Sequence, residues 1–234
     1  DDNDGILDIV ENLGCAAFFE NFGTSTYPGP ALPAGYTNYI YRGDIVANSV
    51  HPNAMLDGEY AIGNQINQPD GGWITANDHT SGDGSGAMMV VNAAIAPGEF
   101  YSRTVPVIAG KDYNFSAWLA NAHNISLVDV CNSYPSGGVV DPNVTFEVRD
   151  SGTNAVLASY NTGVIPFSTP TNIWNEYKLN FNTGSRTTVE VVVINAGKGG
   201  CGNDLALDDI SLIPICDSDG DGVSNDRDLD SDND

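Results

Sequence analysis

Asp112-Tyr113-Asn114-Phe115-Ser116-Ala117-Trp118-Leu119-Ala120-Asn121 is the stretch that decides the fold. Tyr113, Phe115, Ala117 and Leu119 fall on one side of an extended chain, and Asn114, Ser116 and Trp118 on the other. That period of two is what a strand with one buried face requires. Two more runs repeat it: Val144, Phe146 and Val148 against Thr145, Glu147 and Arg149, and Tyr177, Leu179 and Phe181 against Glu176, Lys178 and Asn180. Working outward, β-rich runs at 60–62, 87–92, 100–107, 155–160, 188–195 and 204–212 alternate with clusters of Gly, Pro, Asn and Asp, and no helical period lasts beyond a turn or two. The expectation is an all-β, two-sheet jelly-roll sandwich over residues 15–216, with calcium-binding loop tails at 1–14 and 217–234. A chain of 234 residues is long enough to enclose such a core.

The run 204–212 carries an anomaly. Counting by twos puts Asp208 on the face of Ile210 and Leu212, where a carboxylate is costly unless paired or bound to metal. Two readings stand: a cation meets it, or a bulge turns it outward.

The tails read as halves of a cation loop. Asp217, Asp219, Asp221 and Asp228 stand at loop positions 1, 3, 5 and 12, with Gly222 at 6, the Val223 carbonyl at 7 and Asn225 at 9. That spacing wraps a hard cation in oxygens. A second loop opens with Asp230, Asp232 and Asp234. At the other end Asp2, Asp4, Ile6, Asp8 and Glu11 fit positions 3, 5, 7, 9 and 12, so the chain reads as one unit of a longer polypeptide whose neighbouring modules are joined by such loops. The alternative is a pair of disordered acidic tails. These stretches resemble bacterial thrombospondin type 3 repeats, which implies calcium-stiffened spacers in secreted or cell-surface proteins.

A formal charge of −23 repels nucleic acid and anionic membranes, both of which are bound through Lys and Arg. No apolar run is long enough to span a bilayer, so no membrane insertion is expected. Four cysteines without CxxC or Cys/His zinc spacing read as two disulfides in an oxidising compartment. Of three connectivities, Cys15–Cys216 with Cys131–Cys201 is favoured, because a closed sandwich brings its ends together and the second pair lies in Gly/Asn-rich loops.

Phe19-Glu20, Asp78-His79-Thr80 followed by Gly84-Ser85-Gly86-Ala87-Met88, and the 204–212 run resemble the MAM domain. The stretch 107–118 resembles jelly-roll carbohydrate-binding modules, and the combination resembles surface adhesin modules of Bacteroidetes. The resemblance implies a structural calcium held by Glu20, Asp78 and Asp208, with Asp209 in reserve. The MAM cysteine pattern is absent, so that family's disulfides do not transfer.

No GxSxG, HExxH or nucleotide-cradling Gly loop is present, and the three histidines are scattered, so no enzyme activity is expected. Binding has more support. An outward Trp118 beside Asn114 offers a sugar ring a stacking surface and hydrogen bonds, with Glu147 and Arg149 sharing that face and Tyr134 at its rim. The alternative is that a loop covers Trp118 and it merely packs; Trp73 and Trp174 read as structural. The expected function is a calcium-dependent adhesion module taking a glycan, or alternatively a surface protein or a second copy of itself, as partner.

Overall fold

The computed structural model describes residues 18–43, 55–127, 131–133 and 137–215. Its strands are β1 (Phe18–Glu20), β2 (Ile40–Tyr41), β3 (Glu59–Gly63), β4 (Met88–Asn92), β5 (Gly98–Pro106), β6 (Asp112–Asn121), β7 (Val139–Val140), β8 (Asn143–Asp150), β9 (Val156–Val164), β10 (Asn175–Asn182), β11 (Thr188–Asn195), β12 (Cys201–Gly202) and β13 (Asp204–Pro214). They form an all-β sandwich. The large sheet runs β10-β6-β13-β4-β3-β2, with β1 beside the C-terminal half of β13. The small sheet runs β5-β11-β8-β9, and β12 pairs with β7 as a short parallel ladder. From β5 onward the chain passes repeatedly from one sheet to the other, as a jelly roll does.

The alternation read from the sequence places the core. Tyr113, Phe115, Ala117 and Leu119 of β6 meet Val144, Phe146 and Val148 of β8 and Val189, Val191 and Val193 of β11 between the sheets. Phe115 and Phe146 touch edge to face, at 5.3 Å and 84°. Tyr177, Leu179 and Phe181 of β10 close the same core at its edge.

The strand β13 departs from simple counting. Asp208 pairs with Trp118 and Ser211 with Ser116, so Asp209 and Ile210 together face the single residue Ala117. This is a β-bulge. Asp209 takes a left-handed backbone, with φ of 46°, which Asp tolerates better than most residues. The bulge resets the parity: Leu207, Ile210 and Leu212 point into the core, while Asp208 points to the outer face beside Trp118. The expectation that Asp208 shares the face of Ile210 is therefore corrected. It is nonetheless fully enclosed, with no exposed surface, because that outer face is not bare.

Met55, just before β3, and a segment after β3 roof part of it. Met55, Ile66, Trp73 and Ala76 pack on the outward side chains Ala61, Met88, Val90, Ala120 and Ala206, making a second, smaller core outside the large sheet. Ile74 N–H donates to the Ala122 carbonyl and ties this roof to the end of β6. The roof covers β3, β4 and one end of β6 and β13, so a boundary between roofed and open sheet runs past Trp118.

Cys131 and Cys201 are joined by a disulfide, linking the β12 ladder to the loop after β6. Phe18 lies opposite Leu212, which sets the two described ends of the chain side by side. Cys15, Cys216 and both acidic tails lie outside the described residues.

Candidate functional site

The turn 78–81 is bolted to the β13 bulge by two adjacent carboxylates. Asp208 Oδ2 accepts the main-chain N–H of His79 (2.8 Å) and of Thr80 (3.2 Å), and its Oδ1 accepts the N–H of Asp209 (2.8 Å). Burial pushes its carboxyl up to about 7, helped by the neighbouring Asp209 charge and opposed by those N–H bonds. Asp209 Oδ2 lies 2.6 Å from His79 Nδ1, and its Oδ1 accepts the Thr80 hydroxyl at 2.7 Å. Asp78 Oδ2 accepts both the N–H and the hydroxyl of Ser81, each at 2.8 Å. Gly86 packs against that carboxylate so closely that a Cβ there would stand 2.3 Å from Asp78 Oδ2. Only glycine fits.

This anchoring aims His79 at the sheet. Its imidazole stacks on the Trp118 indole, with ring centroids 3.8 Å apart and planes at 18°, and meets the edge of Trp174 at 5.8 Å. The Trp174 indole N–H donates to the Asn77 carbonyl at 3.3 Å. Beside this aromatic trio opens a cleft of about 420 Å³, lined chiefly by Thr75, Asn77, Asp78, His79, Gly82 and Trp174. Trp118 and Trp174 are both half-buried. The arrangement offers aromatic surface next to amide, hydroxyl and carboxylate groups. A smaller cleft of about 190 Å³ beside Tyr36, Arg103 and Glu190 is less suited, because its Arg103 is already engaged by Glu20.

The ligand set expected for Trp118 does not assemble. Asn114 shares its sheet face, but its Nδ2 donates to Asn180 at 2.7 Å. Glu147 and Arg149 lie on β8, in the other sheet, pointing away from the core that separates them from Trp118. There Arg149 bridges Glu147 (2.7 Å) and Glu99. Periodicity assigns a residue to a face but not to a sheet, and these outward faces belong to different sheets. Tyr134 lies outside the described residues.

The internal calcium ligands do not converge either. Glu20 pairs with Ile210, on the core side of the sheet, where Arg103 Nη1 holds its Oε2 at 2.9 Å and Phe22 N–H its Oε1 at 3.1 Å. A guanidinium against the carboxylate repels a cation. Asp208 and Asp209 spend their oxygens on His79 and Thr80, which leaves Asp78 Oδ1 as the one oxygen of the four residues that is buried without a partner. Among the described residues no three His, Cys, Asp or Glu side chains are arranged to hold a metal ion. The four residues do not fit one ion.

Two residues of the cleft were read otherwise from the sequence. Trp174 reads as structural in the sequence, and His79 as one of three scattered histidines. A signal existed for the first: Glu176 stands opposite Trp118, so Trp174, two residues earlier, keeps the same outward parity. It required knowing that β10 and β6 are neighbours.

No family model and no curated protein matches the sequence. Solved structures give low-scoring likenesses. A structure described as "CBM4 structure and function" is 12% identical over 73% of this chain and 93% of its own, with a TM-score of 0.37. The K1 cleaved adhesin domain of Lys-gingipain from Porphyromonas gingivalis W83 is 10% identical over 84% and 97%, with a TM-score of 0.38. A carbohydrate-binding module from Cellvibrio mixtus lichenase 5A, in complex with cellotriose, is 17% identical over 56% and 80%, at 0.32. Scores of this order assign no family and carry no argument about function.

Proposed function

We propose that the sandwich is a glycan-binding adhesion module of a secreted or surface-exposed protein, and that the cleft walled by Trp174 and His79, with Trp118 stacked behind His79, holds the sugar. The observation that carries this reading is the anchored aromatic trio beside a cleft of sugar-sized volume. Sugar rings present C–H faces to aromatic planes while their hydroxyls bond to amides and carboxylates, and Thr75, Asn77 and Asp78 stand within the same walls. The role is binding rather than turnover. The Cys131–Cys201 disulfide is in keeping with an oxidising compartment. Calcium dependence, in this reading, belongs to the acidic tails, whose spacing suits the ion, and not to the 78–81 turn.

A protein partner is the second reading, favoured by Phe19 and Ile213, which are 57% and 49% exposed on the same sheet. Titration calorimetry against a glycan panel, with wild type and Trp174→Ala, separates the two. The glycan reading expects binding by the wild type that weakens roughly tenfold or more, ~1.4 kcal/mol, in a variant that still folds. A folded Trp174→Ala chain that binds the same glycan at full strength removes the cleft from consideration. Absence of all glycan binding, with association detected by light scattering, favours the protein partner.

A further inference from the structure

The disulfide joins two cysteines in unequal surroundings. Cys131 is wholly enclosed, while Cys201 is partly exposed and flanked by Gly199, Gly200 and Gly202, which add no side chain of their own. A second observation lies on the enclosed side: His123 Nε2 stands 3.7 Å from Cys131 Sγ. A disulfide sulfur carries no hydrogen, so in this contact the ring nitrogen donates, and the proton of the imidazole is on Nε2. The ring is fixed where it stands. The His123 main-chain N–H donates to Asn121 Oδ1 at 3.0 Å, its backbone bridges to Trp73, and its imidazole meets the Phe167 ring at 5.9 Å. Burial lowers its pKa, with the nearby Asp141 charge opposing, so at pH 7 the imidazole is neutral.

That asymmetry gives the bond a direction. When a thiolate attacks one sulfur of a disulfide, the other sulfur leaves as a thiolate, and exchange is faster the more stable the leaving thiolate is. Burial closes Cys131 to attack. It would also make Cys131 a poor leaving group, since a thiolate enclosed in apolar surroundings is costly. The His123 N–H is placed to offset that cost, because a donor already 3.7 Å from the sulfur meets the negative charge as it forms.

Independently of the glycan reading, we propose that Cys201 is a thiol-exchange site that takes a small uncharged or cationic thiol into a mixed disulfide, with Cys131 as leaving group and His123 as its hydrogen-bond donor. The incoming thiolate forms a new S–S bond to Cys201 Sγ, and the Cys131–Cys201 bond breaks. Its electron pair stays on Cys131 Sγ, against the His123 N–H. One disulfide is exchanged for another and one thiolate for another, so no oxidant or reductant besides the thiol is needed. Attack of Cys131 on the mixed disulfide expels the small thiol and restores the bridge, which makes the modification reversible. A chain of charge −23 disfavours anionic thiols.

The test treats the whole chain with 2-mercaptoethanol in large excess, quenches in acid, digests with pepsin and maps the adduct by mass spectrometry. The adduct is expected on the peptide bearing Cys201, with Cys131 recovered as a free thiol. The rate of exchange, followed by the same quench, is expected to fall roughly tenfold or more in His123→Leu. In His123→Gln, whose amide keeps an N–H donor, it is expected to stay within about threefold of wild type. Circular dichroism shows that each variant is folded. An adduct on Cys131, or on both cysteines equally, overturns the direction of attack, and the wild-type map alone decides this whatever the variants do. A folded His123→Leu chain exchanging at the wild-type rate, or equal slowing in both variants, removes His123 as the donor. No adduct under thiol that opens oxidised glutathione overturns the site altogether.

Discussion

Asp204 stands at the start of β13 with its carboxyl enclosed: Oδ2 accepts the Trp73 indole N–H at 3.1 Å and Oδ1 has no partner. Burial, reinforced by the charges of Asp70 and Asp57, holds it protonated well above the usual carboxylate range. The sign of the consequence follows. The folded chain keeps a proton that the unfolded chain releases near pH 4, so this group's contribution to stability falls as pH rises from that value toward its folded pKa. Asp204→Asn removes the titration while keeping an acceptor for Trp73. Urea unfolding of wild type and variant at pH 5 and pH 7 is expected to show the difference shifting in the variant's favour at the higher pH. A difference that does not move with pH rules the buried acid out. Asp208 makes a separate case, because its oxygens satisfy two main-chain donors of the turn 78–81. Asp208→Ala strands the N–H groups of His79 and Thr80 and is expected to cost ~1–3 kcal/mol, read from the urea midpoint.

Among the elements, the roof over the large sheet is what distinguishes this sandwich from two bare sheets, and Trp73 is its largest buried contact. Trp73→Ala opens a cavity above Ala120 and Ala206 and is expected to cost ~3–5 kcal/mol, measured by urea denaturation. Val156→Ala, at 52% exposure on β9, serves as the control and stays within about 0.5 kcal/mol. The strands around this roof were legible to different degrees. Where one face is buried and the other polar the pattern gave true ends, as in Asp112–Asn121, Asn143–Asp150, Asn175–Asn182 and Thr188–Asn195. Strands of two or three residues, β1, β2, β7 and β12, are too short to repeat an alternation of period two and left no signal. The strand β9 extends to Val164 through Asn161 and Gly163, residues that read as a turn but stay paired to β8 through a bulge. The roof was hidden for another reason. Ile66, Trp73 and Ala76 lie in irregular backbone, and only a tertiary contact shows that they cover Val90 and Ala120. The site depended on that same contact, since Trp118 was visible in the sequence while the ring stacked on it, His79, comes from 39 positions earlier.

For the molecule as a whole, two long-range constraints add to the core. The Cys131–Cys201 bridge closes a loop of 70 residues, and loop-closure entropy sets its contribution at roughly 4 kcal/mol. Replacing both cysteines with Ala is expected to lower stability by about that amount without changing the sheets, as read by circular dichroism and urea unfolding. The second, in the proposed reading, is ionic: the acidic tails, with Asp217, Asp219, Asp221 and Asp228 at one end and Asp2, Asp4, Asp8 and Glu11 at the other, carry carboxylates at a spacing that suits a divalent cation. An ion that binds only the ordered loops raises folding stability by ~2.7 kcal/mol at a hundred times its dissociation constant. In the described sandwich the carboxylates of the 78–81 turn are met by protein donors instead. Two chains therefore separate the sources. Calcium is expected to raise the melting temperature of the wild type, and Asp219→Ala/Asp221→Ala is expected to lose most of that increment while melting, without calcium, close to the untreated wild type. If the increment survives in the loop variant and disappears in Asp78→Asn, the ion sits inside the sandwich, on the oxygen of Asp78 that has no partner, and the tails are spacers only.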